Sequence, residues 1–417
     1  MPQHNHSRRH ALASVAAVPA LLAAACGASG TGTGTGTTAQ PTALPAKKNA
    51  TIRVTARQAP EADMWPIRVP QFTEKYPNLK LEPDLHAGDI QEKTAALIAS
   101  NELGDVVHTH FSSAQPQRLF IGKSTLALDA YLAREKVDLK QWYAMAIDAG
   151  RLDGKVMALP FKGKMATVSL FYNQSLFEQA GLKPPDLNTS LDGLAEMASK
   201  LTKPDGSQWG IVGARFNSTR NLTGVLRRFG AEVFDREQKK ATLDTAAARA
   251  GWGWYYDAFH RRKFMTVTDA QKLFREGKAA MQIHYDYNDK SNIQKAAETA
   301  GFKYSATMIP KGPTGKRGGV WIPDGLQLYS GSKNQDEAFT ALVFLADKDT
   351  GLALAQQKSP GVSTTPGARP DVYNDPKFLN HDTFPRILQE LDRDSNALNE
   401  NYQGSIPHNF RINDVND

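Results

Sequence analysis

The segments TIRVTA at 51–56, LKLEPDL at 79–85 and DVVHTH at 105–110 decide the fold class of this chain. Each is a short run of β-branched or alternating apolar residues, and such a run predicts a strand. Helical patterns that include Phe72 and Leu97 fill the two intervals between these segments. Strand, helix, strand, helix, strand in this order predicts an α/β fold with a largely parallel sheet, in which ligands bind at the carboxyl ends of the strands.

A second series of alternating strands and helices follows the first. The segment DGKVMALP at 153–160 predicts a turn and a strand that ends at Pro160, and a later helix has a capping signal at Ser332. The further predicted elements are strands at 167–173, 209–214 and 303–310, helices at 191–201 and 245–262, a helix, glycine stop and strand at 272–284, and a strand with two helices after the connector 311–319.

The N-terminal region has the features of an export signal. Arg8 and Arg9 precede an apolar run over 11–25, which is shorter than the roughly 20 residues that a permanent membrane helix needs. Small residues lead directly to Cys26, the single cysteine of the chain. This pattern predicts that residues 1–25 are a signal peptide and that Cys26 is lipidated. A plain secretory peptide with an incidental cysteine is the alternative, and the arginine pair leaves both general and twin-arginine export open.

The composition of the following residues limits the classes of partner. Residues 26–50 are rich in Gly, Thr, Ala and Pro, which predicts a flexible tether between the lipid and the folded part. The formal net charge of +7 is small for 417 residues, and the charges are interspersed without a basic block. Nucleic acid is therefore not an expected partner. With Cys26 lipidated, no thiol remains for a disulfide or a cysteine-ligated zinc site.

Four segments together resemble a known family. They are DGKVMALPF from residue 153, LFYNQSLFEQAGL from 170, FREGKAAM from 274 and the strand and helix unit from Gly319 to Gln357. In this order and spacing they resemble the extracellular solute-binding proteins of ABC importers, in the group that includes maltose-type sugar binders. The likeness extends over nearly the whole folded part of the chain.

The resemblance implies a two-lobed, periplasmic-binding-protein-like (type II) α/β fold in which the chain crosses the hinge three times. By analogy, lobe 1 holds residues 51–161 plus 311–358, and lobe 2 holds residues 162–310 plus 359–417. It also implies a monomer that is lipid-anchored outside the cytoplasmic membrane, at the cell surface or in the periplasm. Such a protein captures a solute, here a sugar or oligosaccharide, between the lobes and delivers it to the permease subunits. The clamp requires neither catalysis nor a cofactor.

The candidate ligand contacts lie on loops at strand ends, because sugar recognition combines flat apolar faces with carboxylates and amides. For some of them a structural role is the alternative: Asp63 suits a helix cap, Trp65 suits core packing, and Lys162 suits a solvated surface. Phe216 and Asn217 also suit a helix-capping turn. The candidates are Glu61, Asp63, Trp65, Ser112, Ser113, Phe161, Lys162, Phe216, Asn217, Tyr285, Asp286, Tyr287 and Trp321.

Other functions are less consistent with the sequence. His108 and His110 form a His-x-His pair on one face of a strand, but no acidic partner is expected close by, so a polar cleft wall is preferred to a metal site. A secreted carbohydrate hydrolase with Asp63 and Asp286 as paired carboxylates is the enzyme alternative. No nucleophile elbow, zinc motif or phosphate loop accompanies that pair. A sensory or adhesive surface protein that reuses the fold is the third hypothesis.

Overall fold

Two five-stranded sheets form the framework of the computed structural model of this chain. The structure describes residues 48–58, 61–88, 90–111, 115–166, 169–213, 219–234, 240–284, 290–357 and 368–379. The strands are β1 (Ala50–Arg57), β2 (Leu79–His86), β3 (Val106–His110), β4 (Arg151–Leu152), β5 (Lys155–Val156), β6 (Leu159–Ala166), β7 (Ser169–Asn173), β8 (Trp209–Val212), β9 (Met265–Thr266), β10 (Ala279–His284), β11 (Tyr304–Met308) and β12 (Val320–Leu328). The first sheet has the order β2-β1-β3-β12-β6 and the second has the order β11-β7-β10-β8-β9, while β4 and β5 form a separate hairpin.

Helices cover both sheets. None of those in the described part of the chain combines the length and the apolar character that a membrane span requires. The α-helices are α1 (Trp65–Lys75), α2 (Ile90–Ala99), α3 (Gln115–Ile121), α4 (Asp129–Arg134), α5 (Ala144–Ala149), α6 (Gln174–Gln179), α7 (Leu191–Lys200), α8 (Thr219–Arg228), α9 (Ala246–Tyr256), α10 (Ala270–Arg275), α11 (Lys290–Ala300), α12 (Gln335–Leu345), α13 (Lys348–Ala355), α14 (Pro370–Tyr373) and α15 (Pro376–Leu379). Short 3-10 helices at Ala62–Met64 and Leu139–Gln141 and a π-helical turn at Asp257–Arg261 complete the helical structure.

The first sheet mixes parallel and antiparallel strands. β1 runs parallel to β2 and β3, whereas β12 runs antiparallel to β3 and to β6. The carboxyl ends of β1, β3 and β6 and the amino end of β12 therefore meet at the same side of the sheet. We call this side the upper edge of the first sheet.

The helix α1 is fixed to the first sheet through a dense core. Ile52 and Val54 of β1 and Phe72 of α1 are fully buried, and the Phe72 ring packs edge-on against Phe344 of α12, with ring centroids 5.1 Å apart. Burying a side chain of this size contributes about 1.5–3 kcal/mol. The buried guanidinium of Arg68 lies 3.9 Å from the centroid of the Phe344 ring and donates to the Phe344 carbonyl. These contacts fix α1 against the first sheet and α12.

The second sheet has its own core. β7 lies antiparallel to β10 and β11, while β8 lies parallel to β10 and β9. Leu170, Met281 and Ile211, from three adjacent strands, are fully buried together with residues of α7. Between α10 and β10, Gly277 has a φ of +71°, a conformation that favours glycine. The predicted helix, glycine stop and buried strand at 272–284 is therefore confirmed.

The chain passes between the two sheets twice within the described residues. β6 of the first sheet ends at Ala166, and β7 of the second sheet begins at Ser169. β11 of the second sheet ends at Met308, and β12 returns to the first sheet at Val320. The third predicted crossing, after residue 358, falls within 358–367, which lies outside the described residues.

The helices α14 and α15 pack beside the first sheet, although the predicted division places residues 359–417 in lobe 2. Both contact α13, and the Tyr143 amide donates to the Ala368 carbonyl over 3.1 Å. The hydroxyl of the fully buried Tyr373 donates to the carbonyl of Gly163 in β6 over 3.2 Å. For residues 368–379 the contacts thus differ from the predicted division, because an apolar pattern does not identify the surface on which a short helix packs.

Two local details also differ from the sequence prediction. Pro160 is predicted to end a strand, but β6 continues through it. β6 is an outer strand of its sheet, where proline is tolerated because one side of the strand needs no N–H donor. Ser332 is predicted to cap α12, but the N-cap is Asn334. The Ser332 hydroxyl accepts from the Asn334 amide and donates to Asp105, which directly precedes β3.

Candidate functional site

Ionisable side chains from four strands meet at the upper edge of the first sheet. We call Arg57, Glu61, His108, His110, Lys162 and Asp324 the charge cluster. β1 supplies Arg57, β3 the two histidines, β6 Lys162 and β12 Asp324, while Glu61 directly precedes the 3-10 helix that leads into α1. The cluster therefore depends on the register of the whole sheet.

The register of β12 places Asp324 at the centre of the cluster. Asp324 lies opposite His110 on one side and opposite Lys162 on the other, and the pairing with β6 shifts between Asp324 and Gly325. Such an irregularity re-aims the side chain beside it. A Cβ atom on Gly325 would lie 2.3 Å from Cζ of Phe111, so this position requires glycine if the buried Phe111 ring keeps its place.

Two carboxylates and two cations form the centre of the cluster. The ammonium group of Lys162 contacts Glu61 Oε1 and lies 2.9 Å from Asp324 Oδ2. The guanidinium of Arg57 lies 3.5 Å from Glu61 Oε1 and 3.9 Å from Asp324 Oδ2. Each carboxylate thus faces both cations, and such compensation is what keeps buried charges ionised.

The histidines complete the surroundings of Asp324. His110 Nδ1 lies 2.5 Å from Asp324 Oδ1, and His108 Nε2 lies 3.4 Å from Asp324 Oδ2. Because a carboxylate only accepts hydrogen bonds, the Nδ1 atom of His110 carries a proton. The ring of Phe161 stands edge-on to His108 with centroids 4.9 Å apart, so His108 is enclosed by apolar surface on its other side.

Burial and charge pairing act in opposite directions on the pKa values. Burial alone raises the pKa of Glu61, but Lys162, His108 and Arg57 together outweigh it, and the pKa lies below its ordinary value. For Asp324, burial is likewise outweighed by His110, Lys162 and the hydrogen bond with His108 acting together, and the pKa lies well below its ordinary value. Burial lowers the pKa of His108 to about 4, although Asp324 and Glu61 favour the protonated ring. At neutral pH both carboxylates are therefore ionised, and His108 is uncharged.

Exposure differs within the cluster. The side chains of Arg57 and His110 are 24% and 13% exposed, compared with 7% or less for the other four members. Arg57 and His110 are therefore the members most accessible from solvent. The carboxylates lie behind these two groups and hold them in place.

The structure corrects one prediction about the histidines. The sequence suggests no acidic partner for the His-x-His pair, but Asp324, which lies far away in the chain, is in contact with it, and the possible ligand atoms of the three residues lie within 4.8 Å of one another. Two histidines and a carboxylate are a donor set that metals use. However, Lys162 and Arg57 face the same carboxylate, so a divalent cation would add two positive charges to a balanced cluster. The cluster as arranged is better suited to hydrogen bonding than to metal coordination.

The structure brings some of the predicted site residues together. Glu61 and Lys162 are members of the charge cluster, and Asp63 lies next to them on the 3-10 helix, half-buried. Trp65 and Phe161 lie beneath the cluster and are buried in the core, where they line a small internal void with Glu61 and His108. This position agrees with the core-packing alternative for Trp65.

The remaining predicted positions lie outside the described side chains. The backbone of Trp321 belongs to β12 and pairs with Met165 of β6, one of the two strands that lead to the second sheet. Ser112, Ser113, Phe216, Asn217, Tyr285, Asp286, Tyr287 and the lipidation site Cys26 fall outside the described residues. Their roles stay predictions.

Four members of the cluster are not among the ligand contacts predicted from the sequence. His108 and His110 are recognisable from their spacing, and Arg57 from its place at the end of the first strand. Asp324 gives a weaker signal, since it is separated from His110 by 214 positions and only the register of β12 joins them. The Asp-Gly pair at 324–325, where the strand pairing shifts, is the local signal that could have identified it.

Two mixed sheets joined by crossing strands, with ionisable groups at a strand edge, are typical of a two-lobed binding protein. Residues 58–351 match the family described as bacterial extracellular solute-binding protein, and this chain belongs to that family. The predicted resemblance is thereby confirmed. Proteins of this family bind solutes outside the cytoplasm and are not a family of enzymes.

Individual relatives agree with this assignment. A binding protein from Brucella abortus (strain 2308) is 30% identical over 205 residues, 48% of each chain. A mannitol-binding protein from Pseudomonas aeruginosa is 27% identical over 259 residues, 58% of this chain and 56% of the relative. The chain thus spans about half the length of these relatives.

The solved structures show the same fold. An ABC substrate-binding protein from Listeria monocytogenes, in complex with cycloalternan, superimposes with a TM-score of 0.68 at 17% identity, over 89% of this chain and 90% of that chain. This likeness confirms the two-lobed α/β fold class.

Proposed function

We propose that this protein captures a sugar or polyol outside the cytoplasmic membrane and delivers it, chemically unchanged, to the transmembrane subunits of an ABC permease. The observation that carries the proposal is the charge cluster at the upper edge of the first sheet, beside the strands that lead to the second sheet. Carboxylates, a guanidinium and an imidazole offer the donors and acceptors that hydroxyl groups need. The similarity to a mannitol-binding protein supports the same class of solute.

We further propose that the two sheets correspond to two lobes that close on the solute. Lobe 1 contains β1–β3, β6 and β12, and lobe 2 contains β7–β11. Glu61, Asp63, Lys162, Ser112 and Ser113 belong to the lobe 1 wall. The lobe 2 wall contains Phe216, Asn217, Tyr285, Asp286 and Tyr287, with Phe161 and Trp321 near the crossings. A ligand favours the closed form only by as much as it binds that form more tightly.

The N-terminal part supplies the location in this proposal. Residues 1–25 direct export, Cys26 is acylated, and residues 26–50 tether a monomer to the outer side of the cytoplasmic membrane. Radiolabelled palmitate incorporated into the wild type but not into a Cys26→Ser variant is the expected result. Equal labelling of the two chains would contradict lipidation at this cysteine and would leave the binding proposal intact.

Solute capture is tested by thermal unfolding with a panel of sugars and polyols, because a ligand that binds only the folded state raises its stability. At a ligand concentration of about 100 times the Kd, this gain is about 2.7 kcal/mol. Small-angle scattering with the stabilising solute should show compaction, and chromatography after incubation should recover the solute unchanged. Loss of solute with appearance of product would favour a hydrolase and contradict the proposal.

Two substitutions on β1 test whether solute capture depends on the charge cluster. Arg57→Met removes the more exposed cation and should weaken binding by about tenfold or more, since charged hydrogen bonds contribute about 1.5–3 kcal/mol. Arg53→Met is the matched control, because Arg53 is 41% exposed and pairs with Asp84. Equal affinities of the two variants would exclude Arg57 from the binding site.

A further inference from the structure

We propose that the charge cluster is a filter that excludes anionic solutes, with Glu61 and Asp324 as the residues that determine this specificity. The solute is then an uncharged, hydroxyl-rich molecule that contacts Arg57 and His110. This inference rests on the proposed function, since it assumes that the upper edge of the first sheet is a solute-binding surface.

The strong cations and the carboxylates of the cluster balance each other. Arg57 and Lys162 supply two positive charges, and Glu61 and Asp324 supply two negative charges at distances that make four ion pairs. His108 adds no charge at neutral pH, because burial lowers its pKa to about 4. Apart from His110, whose Nδ1 atom already faces Asp324, the described cluster thus has no excess positive charge with which to attract a phosphate or a carboxylate.

The two carboxylates lie deeper than the more exposed Arg57. Arg57 is the cation that a solute meets first, but its guanidinium already faces Oε1 of Glu61 and Oδ2 of Asp324. An anion that approaches Arg57 also approaches these two buried carboxylates, where the low local dielectric strengthens repulsion. A hydroxyl group meets no such repulsion, because it both donates and accepts hydrogen bonds.

The experiment compares matched pairs of solutes that differ in one terminal group. Isothermal titration of the wild type is performed with D-mannitol and D-mannonate, D-glucitol and D-gluconate, and maltose and maltobionate, at about pH 8, where an ordinary imidazole is neutral. In the pair that binds, the uncharged member should bind at least about tenfold more tightly than the carboxylate. A carboxylate that binds as tightly as its uncharged partner, or more tightly, would overturn the filter while leaving solute capture in place.

The substitution Glu61→Gln should weaken the filter. Glu61→Gln keeps the size of the side chain and leaves one excess positive charge, so the preference for the uncharged solute should fall by about tenfold relative to the wild type. Glu74→Gln on the exposed face of α1 is the matched control and should keep the wild-type ratio. A structural role for Glu61 would lower both affinities together and leave their ratio unchanged, which would also overturn the proposal.

The two proposals fail in different ways. If none of the six solutes binds to the wild type, the proposed capture of a sugar or polyol is contradicted, and the proposed filter is contradicted as well. If solutes bind and the wild type prefers the anionic members, only the filter is contradicted. Thermal unfolding of the Glu61→Gln variant without solute separates a loss of folding from a change in selectivity, and the wild-type ratio needs no variant at all.

Discussion

The substitution Lys162→Met tests whether the cluster is held together by charge. Lys162 Nζ lies 2.9 Å from Asp324 Oδ2, and at an effective dielectric constant of about 20 two unit charges at this distance attract by roughly 6 kcal/mol. Part of this attraction offsets the desolvation of the buried groups. Methionine keeps most of the length of the side chain but leaves Glu61 and Asp324 with Arg57 as the remaining strong cation. The expected loss in the free energy of unfolding is about 3–5 kcal/mol at neutral pH.

The pH dependence of this loss distinguishes charge from packing. In the wild type the pKa values of Glu61 and Asp324 lie below their ordinary values, so their contribution to stability is present above about pH 4.5 and is lost as the pH falls through the folded-state pKa values. In the variant, burial is less opposed and the carboxylates take up protons more readily. The difference in stability between the two proteins should therefore shrink as the pH is lowered from about 7 to about 4.5.

Urea denaturation followed by circular dichroism at the two pH values measures both quantities. Lys80→Met is the matched control, since Lys80 is a strand lysine that is 71% exposed and lies 3.9 Å from Glu82. Its loss should stay below about 1 kcal/mol. A loss for Lys162→Met that is below about 1 kcal/mol, or that is the same at both pH values, would refute the electrostatic reasoning.

Two further substitutions test the backbone around the site and the second lobe. Gly325→Ala places a Cβ atom 2.3 Å from Cζ of the buried Phe111 and should lower the free energy of unfolding by about 1–3 kcal/mol, whereas Gly253→Ala meets nothing within 4 Å and should be neutral or stabilising in urea denaturation. Ser190→Ala removes the side chain that caps α7 through the Gly193 amide and should cost about 1 kcal/mol in the same assay, while Ser190→Asp keeps the cap and should restore most of it. Equal effects within either pair would contradict the structural role.

The strands and helices could be predicted from the sequence where the periodicity of apolar residues was strong. The β-branched run at 51–56, the glycine stop at Gly277 and the helical pattern from residue 245 each predict a local element, and the structure has an element at each place. Short helices such as α4 and α5 were missed, because each has only a few residues and packing rather than periodicity stabilises them. The strand through Pro160 was shortened, because the sequence does not say that this strand lies at the edge of its sheet.

Only part of the candidate site could be predicted from the sequence, for a related reason. Glu61 and Lys162 attract attention as charged residues on predicted loops, and both belong to the cluster. The partner that connects them, Asp324, enters through the pairing of β12 between β3 and β6, which joins segments that are more than 150 residues apart. Such a contact follows from sheet order, and sheet order is a tertiary property that local patterns do not contain.

The position of the Lys162 and Asp324 pair bears on how the protein would close. Lys162 lies on β6 and Asp324 on β12; the chain leaves the first sheet after β6 and returns to it at β12. A buried ion pair with Glu61 as its third member ties the two strands together and to the start of α1. A solute bound to Arg57 and His110 is therefore fixed relative to the whole first sheet. We expect closure to bring the second sheet towards a preformed wall. The free energy gained from lobe 2 contacts then sets how far a solute shifts the population of the closed form, and rearrangement within the cluster contributes little.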